Sequence, residues 1–312
     1  MFGSVGVHRS EGQCFTVSRE TSMLQEGMMN RKEYAVLIES RLREEIARMR
    51  EDFPRYTVQS CYIDDLLPEE EARKINAAFP DKSTMMLKKS LRENKYVAAQ
   101  MDKYAPILEE IIYAFQEPIV LKVVEEITGI REMVLDTKLY ADGISLMAKD
   151  NFLNPHLDNS YDKERERYRV LNLLYYVTPD WSHEAGGNLE LWDDGPQKKQ
   201  REITSHFNRL ALMATHEKSR HSVSQVTVDR SRCCISNYYF SSKPLEDHDY
   251  IHVTSFRGRP DQPVRDLLLQ GDIALRQGMR KVFKKGIVEN PRVYKQGSNQ
   301  VADTSDLKNH KP

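Results

Sequence analysis

The stretch Asn154-Pro155-His156-Leu157-Asp158-Asn159 holds residues whose types and spacing could do chemistry. Side chains alternate across a β-strand, so His156 and Asp158 emerge on one face, where an imidazole and a carboxylate can meet one ion. A second histidine from a neighbouring strand would complete two imidazoles and one carboxylate on one face of a metal. Such a set leaves coordination positions open and suits non-haem Fe(II) that activates O2. His221 is the candidate, because it follows the apolar run 210–215 after a polar turn, where a jelly roll would return a strand to the site. His183, His206 and His216 are rivals; His183 and His216 sit in turn-like polar segments, and His206 begins no comparable pattern. Taken alone, the pair reads more readily as a histidine and an aspartate at a strand end, satisfied by hydrogen bonds.

Arg232 opens the strongly apolar run 232–240. Strand alternation puts Arg232, Cys234, Ser236 and Tyr238 on one face. An arginine at the mouth of a buried strand calls for a carboxylate, because its planar fork pairs with two oxygens. An edge ion pair would satisfy that need, and Arg230, on the same face, competes for the role.

The elements that must position these residues fall into two regions. Residues 31–52 place Tyr34, Ile38, Leu42, Ile46 and Met49 at helical spacing. Residues 56–63 read as a strand, and 64–79 as a helix opened by Pro68 and a run of acids at its positive end. Residues 94–128 read as further helical segments. From Ile130 the pattern changes to short strands at 133–141, 144–149, 153–158, 168–177, 188–192, 201–206, 209–215, 221–228 and 232–240, punctuated by Asp142-Gly143, Gly186-Gly187 and 193–196. Many short strands at this spacing mean a sandwich or barrel. Residues 262–285 return to a helix, with Val264, Leu268, Leu275, Met279 and Val282 as a stripe and the basic residues of 276–285 off it. The expected organisation is a loose leader at 1–29, a mainly helical part at 30–130, a β core at 131–256, and a helix with a polar tail at 257–312.

With 312 residues the chain is long enough to bury a real core, and 39% apolar with 30% charged residues reads as soluble and globular. A net charge of −1 gives no field that argues for nucleic acid. No apolar run approaches the roughly 18 residues of a membrane span, and the N-terminus lacks a secretory core. The four cysteines are Cys14, Cys61 and the adjacent pair Cys233-Cys234; neighbours on a strand face opposite ways, so that pair is poorly placed to share a disulfide or a metal, and reduced thiols and a cytoplasmic location are expected. Oligomeric state is not legible.

In order, His156-x-Asp158, Tyr175-Tyr176, Gly186-Gly187-Asn188-Leu189-Glu190-Leu191-Trp192, His221 and Arg232 resemble the Fe(II)/2-oxoglutarate dioxygenases, nearest to the prolyl 4-hydroxylase-like branch. The resemblance covers about residues 57–256. It implies an α+β fold: a double-stranded β-helix, or jelly roll, with packing helices before it. It implies His156, Asp158 and His221 as iron ligands and Arg232 as the partner of the distal carboxylate of 2-oxoglutarate. Tyr176 and Tyr140 resemble tyrosines of the same pocket, and either could equally be core. Asn172 stands mid-strand and reads as facing the cosubstrate, while Asn159, Trp192 and Tyr238 are candidate substrate contacts. Gly186-Gly187 reads as a hairpin turn in preference to a substrate contact. The implied cofactors are Fe(II), 2-oxoglutarate and O2, with ascorbate as a reductant in vitro. The implied reaction is hydroxylation of a small molecule or biosynthetic intermediate, or of a prolyl residue, with release of succinate and CO2. An aspartate at 158 argues against the halogenating relatives, which carry a small residue there. A cupin-like protein that binds metal or sugar without oxygenase chemistry is the alternative; it has no need of Arg232 beside Tyr140 and Tyr176.

Overall fold

The structure, a computed structural model, describes residues 28–282 apart from 137, 138, 140–142, 163–165, 247 and 249–253. The expected leader up to residue 27, the tail beyond 282, Cys14 and Tyr140 therefore lie outside the described residues. Met28 and Met29 do not belong to a loose segment: both pack against the main core.

All nine strand segments expected between 133 and 240 form strands: β4 (Met133–Leu135), β5 (Gly143–Met147), β6 (Phe152–Leu157), β7 (Tyr168–Tyr176), β8 (Leu189–Leu191), β9 (Arg201–Ile203), β10 (Arg209–Ala214), β11 (His221–Val223) and β12 (Arg232–Ser241). Earlier strands β1 (Ser60–Ile63), β2 (Met86–Lys89) and β3 (Glu93–Ala98), with the short β13 (Ser255–Phe256), complete an antiparallel sheet. Its main path runs β1-β10-β7-β12-β5-β3-β6-β11-β8-β9. The two ends nearly meet. Arg201 of β9 donates to the Val58 carbonyl and to Ser60 Oγ beside β1, at 3.0 and 3.1 Å, and the Val58 amide donates to Asp193. The result is a jelly-roll-like barrel flanked by helices.

The long strands are buried on both faces, which is why they read as continuous apolar runs. Leu171, Leu173 and Tyr175 of β7 join the core beneath the helices, whereas Leu174 and Tyr176 point into the barrel. β10 divides the same way, with Leu210 and Leu212 outward and Ala211 and Met213 inward. Helices α1 (Arg31–Glu44), α2 (Ile46–Asp52), α3 (Glu69–Ala77), α4 (Pro106–Ala114) and α5 (Pro118–Thr128) supply the other side of the outer core. α1 starts at a full capping box, in which Asn30 accepts from the amides of Lys32 and Glu33 and Glu33 accepts from the amide of Asn30. Its buried Tyr34, Ile38 and Leu42 recur every four residues.

Three sequence expectations give way. Residues 94–128 are not helical throughout: 93–98 is β3, hairpin-paired to β2 through a turn in which the Ser90 hydroxyl accepts from the Arg92 amide. The Lys and Glu content hid a β-prone Tyr96-Val97 pair, and pairing of β3 with both β5 and β6 decides its conformation. The strand expected over 56–63 begins only at Ser60. The final helix α6 (Pro263–Val282) forms, but the apolar stripe expected on it does not face the body: Val264, Leu268 and Leu275 are exposed. Two ion pairs set its rotation instead. Arg257 grips Asp266 with two hydrogen bonds, aided by the Gly258 amide, and Asp272 pairs with Arg92 of the β2–β3 turn.

Candidate metal centre

β11 lies antiparallel to β6 in a register that sets His221 directly opposite His156. The two rings stand 4.2 Å apart between centroids, and His156 also stacks on Phe256 of β13 at 5.0 Å. Asp158, one residue beyond β6, turns its carboxylate to both rings: Oδ1 is 3.4 Å from His156 Nε2, and Oδ2 is 3.7 Å from His221 Nε2. The ligand atoms of the three residues lie within 4.8 Å of one another.

Each histidine is oriented in the same way. His156 Nδ1 lies 3.0 Å from the Asn154 carbonyl, and His221 Nδ1 lies 3.0 Å from the Ser219 carbonyl. A carbonyl can only accept, so each bond requires Nδ1–H and leaves the Nε2 lone pair facing the common centre. Burial, reinforced by the nearby His156, pushes the His221 imidazole down to about 4. It is therefore neutral at ordinary pH, as a metal ligand must be. Burial pushes the Asp158 carboxyl up, but His221, His156 and Arg169 together overcome it and hold the group well below the usual carboxylate range.

Behind Asp158 lies a second layer of polar groups. The Asn172 amide donates to Asp158 Oδ2 at 2.9 Å, and its own carbonyl accepts from the Thr215 hydroxyl at 3.1 Å. Asn172 thus bears on the carboxylate of the cluster, where the sequence suggested a cosubstrate contact. Arg169 Nη1 approaches the same Oδ2 at 3.5 Å, and its guanidinium lies 4.3 Å from the Tyr238 ring centroid. The sequence reading missed Arg169 and Thr215. Their signal was position: Arg169 opens the apolar β7, and Thr215 follows β10, whose end pairs with it.

The rival histidines are engaged elsewhere. His183 pairs with Glu202, His216 with Glu246, and His206 is exposed. Arg230 is excluded by the same test, since its guanidinium donates to the Pro179 and Asp180 carbonyls at the surface. Arg232 is buried at 4% exposure. Its guanidinium lies over the Tyr176 ring and beside the Cys234 thiol, its Nη2 reaches the sulfur of Met147, and its Nε has no hydrogen-bond partner. Among the described residues no carboxylate pairs with it. A buried cation left in this state is costly unless an anion joins it. Burial pushes the Tyr176 phenol up, so it stays a proton donor beside Arg232.

Gly186 and Gly187 serve this region by close approach. Both have positive φ, and a Cβ on Gly186 would sit 1.9 Å from the Gln225 carbonyl oxygen. One on Gly187 would lie 3.0 Å from Arg232 Cδ. Trp192 is not brought to the cluster. It is buried on the opposite face, with its indole N–H bonded to Ser222 at 2.7 Å. The Asn159 amide donates to the Tyr161 carbonyl. Cys61, Cys233 and Cys234 are free and buried.

Residues 143–240 match the family model of the 2OG-Fe(II) oxygenase superfamily. This stretch holds all three residues of the cluster and Arg232. The 2OG-Fe(II) oxygenases use Fe(II), 2-oxoglutarate and O2, and the donors present suit the first two: two neutral imidazoles with a carboxylate for Fe(II), and a buried arginine without a carboxylate for a dicarboxylate. No curated protein sequence matches the chain. Solved structures similar to it include a prolyl-4-hydroxylase from Pseudomonas putida, 14% identical, covering 63% of this chain and 98% of that one at a TM-score of 0.49. A prolyl hydroxylase from Trichoplax adhaerens, in complex with a hypoxia inducible factor peptide fragment, is 16% identical over 71% of this chain and 93% of that one, at 0.46. A 2OG-Fe(II) oxygenase family oxidoreductase from Burkholderia pseudomallei is 14% identical over 64% and 91%, at 0.44. Among the described residues no helix is long and apolar enough to cross a membrane.

Proposed function

We propose that this protein is an Fe(II)/2-oxoglutarate-dependent hydroxylase whose substrate is a small molecule in preference to a prolyl residue of a protein. The observation that carries the reading is the paired orientation of His156 and His221, each fixed through Nδ1, with both Nε2 atoms and the Asp158 carboxylate turned to one point. In this reading those three groups hold Fe(II). Arg232 takes the distal carboxylate of 2-oxoglutarate with its unused Nε–H, and the Tyr176 hydroxyl lies in the same pocket. Asn172 and Thr215 hold Asp158 in place, as outer partners of metal ligands do. When bound, Fe(II) with 2-oxoglutarate supplies the activation of O2. The overall balance is substrate C–H plus O2 plus 2-oxoglutarate, giving substrate C–OH, succinate and CO2. The protein's part is to bind, orient and exclude side reactions.

The test is succinate formation by purified protein given Fe(II), ascorbate and 2-oxoglutarate, beside His221→Ala and Arg232→Ala. Succinate release that both substitutions abolish is expected. Release unchanged in either variant, or a protein that binds neither Fe(II) nor 2-oxoglutarate, overturns the reading in favour of a cupin-like binding protein.

A further inference from the structure

Two opposite charges face the metal cluster and have no task in the reading above, on which the following inference rests. Both come from β3. Glu93 lies opposite Leu153 of β6, and Leu153 in turn lies opposite Val223, two residues along β11 from His221. Paired residues of antiparallel strands project to the same face, so Glu93 stands in the row next to the His156–His221 pair. Lys95 follows two residues later on that face. The Lys95 ammonium is 3.2 Å from Glu93 Oε2, and each side chain is 20% exposed. Electrostatic contact with the cluster agrees with this placement: the Lys95 charge acts on His221, and His156 acts on Glu93.

Lys88, opposite Lys95 across the β2–β3 hairpin, also acts on Glu93. Arg169 bears on Asp158, and Arg232 sits at the far end with Tyr176 and Met147. Lys95 and Glu93 form a half-sheltered pair that starts in the row next to the cluster. Partly buried charges are tolerated as a pair, and losing one partner alone is what costs. A ligand that carries both signs can enter such a pair and leave neither Glu93 nor Lys95 unmatched. Its carboxylate then takes the place of Glu93 on Lys95, and its ammonium the place of Lys95 on Glu93. We propose that Glu93 and Lys95 recognise the substrate of this site and that the substrate is a zwitterion, a small molecule with an ammonium and a carboxylate, such as a free amino acid.

The test separates this inference from the reading beneath it. Protein loaded with Fe(II) and 2-oxoglutarate, with O2 excluded, is dialysed to equilibrium against a labelled pool of α-, β- and γ-amino acids. Parallel cells hold the N-acetylated pool and the carboxamide pool, and retained 2-oxoglutarate is measured in every cell. We expect retention of a member of the free pool, and at least tenfold weaker retention of its blocked forms. Glu93→Gln/Lys95→Met removes both charges together and leaves neither unpaired, so the fold is kept; circular dichroism checks this. That variant should retain the amino acid at least tenfold less tightly than the wild type. Retained 2-oxoglutarate without any retained amino acid refutes the zwitterion assignment alone, as does equal retention of free and blocked pools or an unaffected double variant. Failure of the wild type to retain 2-oxoglutarate refutes the hydroxylase reading itself, and the substrate inference with it.

Discussion

Asn172→Leu removes a single hydrogen bond from the candidate metal centre while keeping the side-chain volume nearly constant. The amide of Asn172 is 2.9 Å from Asp158 Oδ2 in a site where Asn172 is 1% exposed, so water cannot replace it. A hydrogen bond to a charged group is worth about 1.5–3 kcal/mol. Loss of an outer partner typically weakens metal binding about 10- to 100-fold. The two estimates agree, since about 1.4 kcal/mol corresponds to tenfold. The Thr215 hydroxyl loses its acceptor as well, which adds to the cost in the folded protein. The expected result is a fall in Fe(II) affinity of one to two orders of magnitude, measured by anaerobic titration with Co(II) as a non-oxidising cross-check. A folded variant with wild-type affinity would show that Asn172 does not position the carboxylate.

Arg232→Met should weaken 2-oxoglutarate binding by about 1.5–3 kcal/mol, since the charge-assisted contact is lost, yet leave the thermal midpoint of the metal-free protein unchanged or raised, because a buried cation with no carboxylate partner and an unsatisfied Nε is removed; calorimetric titration and a melting curve read the two effects separately. Gly186→Ala should cost about 3 kcal/mol or more in denaturant midpoint, as the residue has φ +72 and its Cβ would meet the Gln225 carbonyl at 1.9 Å. In metal-free protein His221 is held at about 4 against an ordinary 6.5, so the folded state binds fewer protons than the unfolded. Its contribution is therefore fully present above pH 6.5 and is lost as pH falls toward 4, by at most about 3 kcal/mol; urea midpoints that stay flat across that window would contradict the burial of a neutral imidazole.

Much of this molecule is legible in the sequence because its core strands are unusually explicit. The runs 170–177 and 233–240 are apolar on both faces, which only a strand between helices and a barrel interior requires. His221 could be ranked above His183, His206 and His216 because it follows the apolar run 210–215, whereas His183 and His216 sit in polar segments and His206 begins no comparable pattern; the structure pairs or exposes all three rivals. What escaped was set by partners distant in sequence. β3 carries Lys and Glu and has no apolar period; it is a strand because β5 and β6 flank it, and so Glu93 and Lys95 went unnoticed beside the cluster. The rotation of α6 was not legible from its apolar spacing, because Arg257–Asp266 and Arg92–Asp272 fix it. Trp192, next to a turn, looked like a mouth residue, but strand alternation sends it to the face opposite Leu191 and His221.

The central claim is that His156, Asp158 and His221 hold a metal on which 2-oxoglutarate is anchored by Arg232. The most direct measurement is anaerobic calorimetric titration of 2-oxoglutarate into protein with and without Fe(II), alongside Asp158→Ala. The account predicts one site per chain, tight only when Fe(II) is present and lost in the variant together with bound iron. Binding of 2-oxoglutarate that is indifferent to Fe(II), or an Asp158→Ala protein that keeps its iron, would contradict it.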